Sequence, residues 1–275
     1  MSWLLECAQG LMHSLVHRPY TFLFFALYAL IATWHLGLFR WSAMTVVGFG
    51  IAWLSEFSSI HTGFPYGWYA YLDAGLEGDL RVAGVPFFDT LSYTFLVYFS
   101  WSTASFLRAG VHRSGRFDYQ SAETAQGRRS PGTLVLATCL TTWLDVVLDP
   151  VTLLGERWFL GQIYEYPEVG AYFGVPLSNF GGWALTSAAI VTAYAWIDRS
   201  GDGRPARGVR RVRAQGLLGL AGYLCVTLFG LGIALALGEL RMALVGMLLH
   251  LPIWIWVLVR LRCPITPPTP EPDRP

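Results

Sequence analysis

The sequence predicts an all-α, polytopic membrane helix bundle of about seven transmembrane helices, from three observations. The chain is 54% hydrophobic and 13% charged, with mean hydropathy +0.44, whereas soluble domains carry about 25% charged residues. Apolar stretches close to the ~20 residues that cross a ~30 Å hydrocarbon core recur along its length. Arginines cluster in alternate connections, the pattern that orients a polytopic protein.

The predicted spans are 20–38, 42–60, 86–108, 132–154, 175–197, 215–237 and 241–260. Residues 1–18 hold an amphipathic stretch (Trp3, Leu4, Leu5, Leu11, Met12, Leu15, Val16) too short to span, expected to lie in the interface. Residues 19–262 form the transmembrane domain, and 263–275 a Pro-rich tail expected to be disordered. Connection 108–131 carries Arg108, Arg113, Arg116, Arg128 and Arg129, and 198–214 carries six further arginines. The positive-inside rule makes both cytoplasmic and puts the N-terminus outside and the C-terminus inside. No basic region precedes an apolar core at the N-terminus, so no cleaved signal peptide is expected.

Four carboxylates fall within or at the ends of these spans: Glu56, Asp89, Asp145 and Asp149. Such a group costs at least ~2.5 kcal/mol at membrane depth and usually faces the bundle interior or a wet cavity. Asp145 and Asp149 are four apart, so on a helix they share one face. Two like charges that close are expected to share a proton, giving an acid and a base side by side. Pro150 removes a backbone donor and is expected to break the helix at Asp149. Glu56 lies near the outer end of its span and is an equal candidate alone. Asp89 opens its span, where the helix dipole favours an anion, so a first-turn charge is the simpler reading. Asn179 opens the fifth span in the same way and could orient a water or a carboxyl.

Both outer connections are rich in aromatics: Tyr66, Trp68, Tyr69 and Tyr71 in one, and Trp158, Phe159, Tyr164, Tyr166, Tyr172 and Phe173 in the other. One at a time these fit an interfacial belt; their density suggests loops folded over the bundle. Gly84-Val85-Pro86 recurs 90 residues on as Gly174-Val175-Pro176. At that offset Trp68 matches Trp158, Asp89 matches Asn179, and Glu56 falls one residue from Asp145. The pattern suggests a parallel two-helix repeat.

Net charge is +1, without a basic excess to suggest nucleic acid. The four cysteines are scattered, and the histidines form no box of the di-iron kind. Dinucleotide, phosphate-loop and nucleophile-elbow motifs are absent from the sequence, as is an Asp-rich Mg²⁺ motif. Neither metal nor organic cofactor is expected.

Glu56, Thr62-Gly63-Phe64-Pro65-Tyr66-Gly67 with Tyr69 and Tyr71, Gly84-Val85-Pro86, Asp145 with Leu148-Asp149-Pro150, and Tyr172 to Phe180 with Gly182-Trp183 together resemble the integral-membrane carotenoid 1′,2′-hydratases. That family includes γ-carotene and bisanhydrobacterioruberin hydratases, and the resemblance runs from about 45 to 200. It implies a hydro-lyase adding water across the terminal C1′=C2′ bond of a ψ-end carotenoid, with the bilayer and other carotenoid-pathway enzymes as surroundings. Such chemistry needs a neutral acid to protonate carbon, a carboxylate to deprotonate water and aromatic faces for the cation. Asp149 is expected as the acid and Asp145 as its proton-sharing partner or water base, with Glu56 the rival for either role. Tyr66, Trp68, Tyr69, Tyr172, Phe173, Asn179 and Trp183 are expected to line the substrate pocket. A proton-coupled small-solute transporter and a carotenoid or terpenoid end-group cyclase remain open on the residues alone.

Overall fold

The computed structural model describes residues 2–113, 119–199 and 215–265. Helix α1 (Ser2–His17) leads into the long helices α2 (Pro19–Leu36) and α3 (Leu38–Thr62). A connection bearing three two-residue strands, β1 (Ala70–Tyr71), β2 (Arg81–Val82) and β3 (Val85–Pro86), reaches α4 (Phe87–Ala109). Strands β4 (Val111–Arg113) and β5 (Tyr119–Ser121) and the single turn α5 (Ala125–Arg128) precede α6 (Pro131–Thr152). Strand β6 (Tyr164–Glu165) then leads to α7 (Leu177–Arg199), α8 (Gln215–Ala236) and α9 (Leu240–Arg262).

Each predicted span falls on one long helix, with local chemistry at its ends. Proline opens α2 and α6 at the first turn, where its missing N–H is no loss. Gly63 stops α3 in the left-handed conformation, at φ 76°, its N–H returning to the Ser59 carbonyl. A side chain there would also meet the Trp68 indole, whose Nε1 lies 2.8 Å from an ideal Cβ position.

Six helices among the described residues are long and apolar enough to cross a membrane. The seventh predicted span, α4, is long enough but too polar by that measure. Its place in the bundle explains why: 18 of its 23 residues are buried against α2, α3, α6 and α8. A helix enclosed by protein needs no lipid-facing apolar stripe. Thr90, Thr94 and Ser105 return their hydroxyls to carbonyls of their own helix.

Helices α4 and α7 begin 90 residues apart and end 90 residues apart, matching the repeat offset. Helix α4 packs on α6, and α3 packs on α7, so one contact is made twice. Strands β1 and β6 pair antiparallel, with Ala70 opposite Glu165. Tyr93 of α4 stacks on its repeat equivalent Trp183 of α7, centroids 4.2 Å apart and planes at 9°. These self-matching pairs mark a pseudo-twofold axis between the two units.

Pro150 does not break its helix at Asp149 as the sequence suggests. Helix α6 continues to Thr152, with Leu153 N–H closing onto the Asp149 carbonyl, so the proline sits in the final turn. Helix α1 forms over the amphipathic stretch. It is tied to the 63–86 connection by Ser14, which donates to Asp79, and by Gly10 against Leu80. Of the Pro-rich tail, 263–265 are described, and Ile265 N–H bonds the Val111 carbonyl. The expectations for residues 200–214 and 266–275 lie outside the described residues.

Candidate active site

Glu56 lies on α3 two turns before the Gly63 stop and is 5% exposed. Three tyrosines donate to it. Tyr93 reaches Oε1 at 2.8 Å, Tyr71 reaches Oε2 at 3.0 Å, and Tyr69 also bonds Oε2. The Tyr71 hydroxyl lies 2.8 Å from Asp89 Oδ2 as well, so one phenol bridges two acids.

Asp149 on α6 is the structural counterpart. Tyr166 donates to Oδ2 at 2.9 Å, Tyr164 bonds Oδ1, and Asn179 Nδ2 reaches Oδ2 at 3.0 Å. Asn179 Nδ2 also lies 2.9 Å from Asp145 Oδ2, so here an amide bridges two acids. The sequence offset pairs Glu56 with the neighbourhood of Asp145, whereas the structure pairs it with Asp149. Each receives two tyrosines from a Tyr-x-Tyr strand segment, 69–71 or 164–166, whose alternate residues point to one face. The position one turn before Glu56 is Ala52, so Asp145 has no partner in the first unit.

Burial, and next the facing carboxylates, push the hydroxyls of Tyr69, Tyr71, Tyr164 and Tyr166 above their ordinary range. They therefore remain donors throughout the physiological range. No ion pair among the described residues involves Glu56, Asp89, Asp145 or Asp149. The nearby Arg18 is committed elsewhere, to Asp79 at 3.0 Å and to the carbonyls of Gly75 and Leu160. Among the described residues no three His, Cys, Asp or Glu side chains are grouped to hold a metal.

The four acids face one cavity, whose volume open to water centres is about 130 Å³. That is room for several waters. An apolar part of the cavity lining comes from α2, α4, α6 and α8, with Phe24, Phe95, Leu96, Leu148, Val226 and Phe229. Tyr20 stacks on Phe229, centroids 5.3 Å apart, at the seam of α2 and α8. On the far side Gly182 lets Tyr66 lie against α7, where any Cβ would meet its ring at 2.3 Å. Tyr66 donates from there to Thr186 at 2.8 Å.

Of the residues expected from sequence, Asp149, Asp145, Glu56, Tyr66, Tyr69, Asn179 and Trp183 line this cavity. Trp68, Tyr172 and Phe173 do not. Trp68 is 56% exposed over the Gly63 turn. Tyr172 packs on Phe173 and Phe180 in a separate turn, with Arg241 over the Phe173 ring. Asp89, set down as a first-turn charge, belongs to the site. Tyr71, Tyr93, Tyr164 and Tyr166 were missed as acid ligands, although the repeated Tyr-x-Tyr was a usable signal.

Residues 17–253 match the family described as carotenoid biosynthesis protein. The chain belongs to this family. The match begins just before α2 and encloses every acid and tyrosine of the cavity, which confirms the motif resemblance at family level. Over 164 residues the chain is 29% identical to a bisanhydrobacterioruberin hydratase of Haloarcula japonica. That alignment covers 58% of this chain and 45% of the relative, under half of the relative's length. No solved structure matches.

Proposed function

We propose that this member of the family is a carotenoid hydratase. It adds water across the terminal C1′=C2′ bond of a ψ-end carotenoid and forms a tertiary 1′-alcohol. The observation that carries the reading is four carboxyl groups without a basic partner, held by phenols and one amide in a cavity that also has apolar walls. The apolar walls suit a polyene and the acids suit its end group. A whole polyene does not fit the cavity, so the remainder would leave it, and the α2–α8 seam at Tyr20 and Phe229 is the proposed exit.

A neutral carboxyl gives its proton to C2′: the O–H bond breaks, the alkene π pair forms the C–H bond, and C1′ becomes a tertiary cation. The stacked Tyr93–Trp183 pair and the tyrosine faces offer electron density to that cation. Water bonds C1′ and passes a proton to a carboxylate. One acid has lost a proton and another has gained one, so the site's total is unchanged. Three donors on Asp149 favour its ionised form and support it as the water base, with Tyr164, Tyr166 and Asn179 orienting it. That reverses the order of roles inferred from sequence. Asp145 is its neighbour on the same amide. The charge pattern further supports an orientation with the acid end of the bundle facing outward.

The test is expression in a bacterium that accumulates lycopene or γ-carotene. A polar pigment heavier by one water, lost on Asp149→Asn, supports the proposal. An isomer of unchanged mass would favour end-group cyclisation instead, and unaltered pigment would contradict both.

A further inference from the structure

The two acid pairs differ in their bridge, and the difference counts protons. Asn179 Nδ2 carries two N–H bonds, so it serves Asp145 and Asp149 together. Tyr71 carries a single O–H, yet its oxygen lies 3.0 Å from Glu56 Oε2 and 2.8 Å from Asp89 Oδ2. One phenolic proton fills one of these contacts. The other requires a proton on a carboxyl, which then donates to the Tyr71 oxygen. Glu56 already accepts from Tyr69 and Tyr93, and each such donor favours its ionised form. For Asp89, Tyr71 is the side-chain hydrogen-bond partner among the described residues. Asp89 also lines the cavity, as do Phe88 and Phe95 of the same helix.

We propose that Asp89 holds the proton delivered to the alkene, and that Tyr71 connects it to Glu56 as a one-hydroxyl wire. Asp89 is the catalytic acid and Tyr71 a positioning residue. After Asp89 gives its proton to C2′, Glu56 is protonated from solvent, and Tyr71 takes the Glu56 proton as it passes its own to the Asp89 carboxylate. Asp149 returns to solvent the proton it took from water, so the site regains its starting charge. The role rests on the hydratase reading above, and resemblance gave no reason to assign it, since Asp89 reads locally as a helix-start charge.

The test has an arm that needs no turnover. Infrared difference spectra of the purified protein, in H₂O and D₂O, report the carbonyl stretch of neutral carboxyl groups. A deuterium-sensitive band is expected in the wild type, absent in Asp89→Asn, shifted in Tyr71→Phe and kept in Asp149→Asn. Loss of that band in Glu56→Gln with retention in Asp89→Asn would overturn the assignment. In the turnover arm, Asp89→Asn should lower kcat by about 10²–10⁴-fold, the usual worth of a general acid. Asp89→Glu should recover part of the loss, and Tyr71→Phe should lower kcat with KM unchanged. An Asp89→Asn enzyme within about threefold of wild type would also overturn it. If the wild type hydrates nothing, the hydratase reading fails while the infrared result still decides where the proton sits.

Discussion

The two ends of this bundle both bury acids, but they neutralise them differently. At the end away from the cavity, Glu123 lies 2.5 Å from His35 Nε2 and 3.2 Å from Arg128, and Arg128 also bonds Asp198 at 3.1 Å. Arg40 approaches Asp198 at 3.9 Å. Both of these acids face basic groups, and the cluster ties α2, α3, α5 and α7 together. At the cavity end Asp79 is likewise paired with Arg18, but Glu56, Asp89, Asp145 and Asp149 face phenols and one amide. Breaking a buried ion pair leaves an orphan charge and costs about 3–5 kcal/mol. A buried acid without a cation gains no stability in that way, which suits a role in chemistry. The arginine end holds the fold, and the tyrosine end holds the proposed reaction.

Substitutions at the two ends should therefore separate activity from stability. The largest effect is expected for Asp149→Asn, which should lower hydration at least about 10³-fold, a water base and its orientation being lost together. Its melting temperature in detergent should equal or exceed wild type, and a large fall would erase the contrast. Arg128→Met should do the reverse, costing about 3 kcal/mol by leaving Glu123 with His35 alone and Asp198 with only the more distant Arg40. Turnover per folded molecule should stay near wild type, as measured by activity normalised to the folded fraction.

The next effect sharpens the arginine end through pH. Burial alone would raise the Glu123 carboxyl, but His35 and Arg128 outweigh it and hold it at about 2, against an ordinary value of 4.5. A folded value below the unfolded one means stability present above about pH 4.5 and lost as pH falls toward 2. Up to roughly 3 kcal/mol should disappear across that window. Thermal melts of Glu123→Gln against wild type should converge as the buffer is acidified, and parallel curves would refute it. The smallest effect is expected for Trp68→Ala, which should leave turnover within about twofold because the ring lies outside the cavity. A tenfold loss would return Trp68 to the pocket.

The long helices were legible because bilayer thickness fixes their length, and each predicted span falls on one of them. The polarity of α4 was less informative, since Ser100, Thr103 and their neighbours reflect enclosure by other helices rather than a loop. Asp145, Asp149 and Glu56 could be found because a carboxylate within an apolar run stands out alone. Asp89 could not, because its first-turn position has a sufficient local explanation; its contact with Tyr71 appears only when the connection folds back. Trp68, Tyr172 and Phe173 lie outside this cavity for the converse reason. Aromatic density shows that a loop covers the bundle, but which rings turn inward depends on turns such as the one at Gly63. His35 pairs with Glu123, a residue 88 positions away, so its partner too is visible only in the fold.

The central claim is that the cavity-end acids add water to a carbon–carbon double bond. Its most direct measurement is turnover of a ψ-end carotenoid by the purified protein in ¹⁸O-labelled D₂O. The account predicts one ¹⁸O at C1′ and one deuterium at C2′ for each converted end, both absent with Asp149→Asn. A product that gains deuterium without ¹⁸O would show that the cation is quenched by something other than water, and would contradict it.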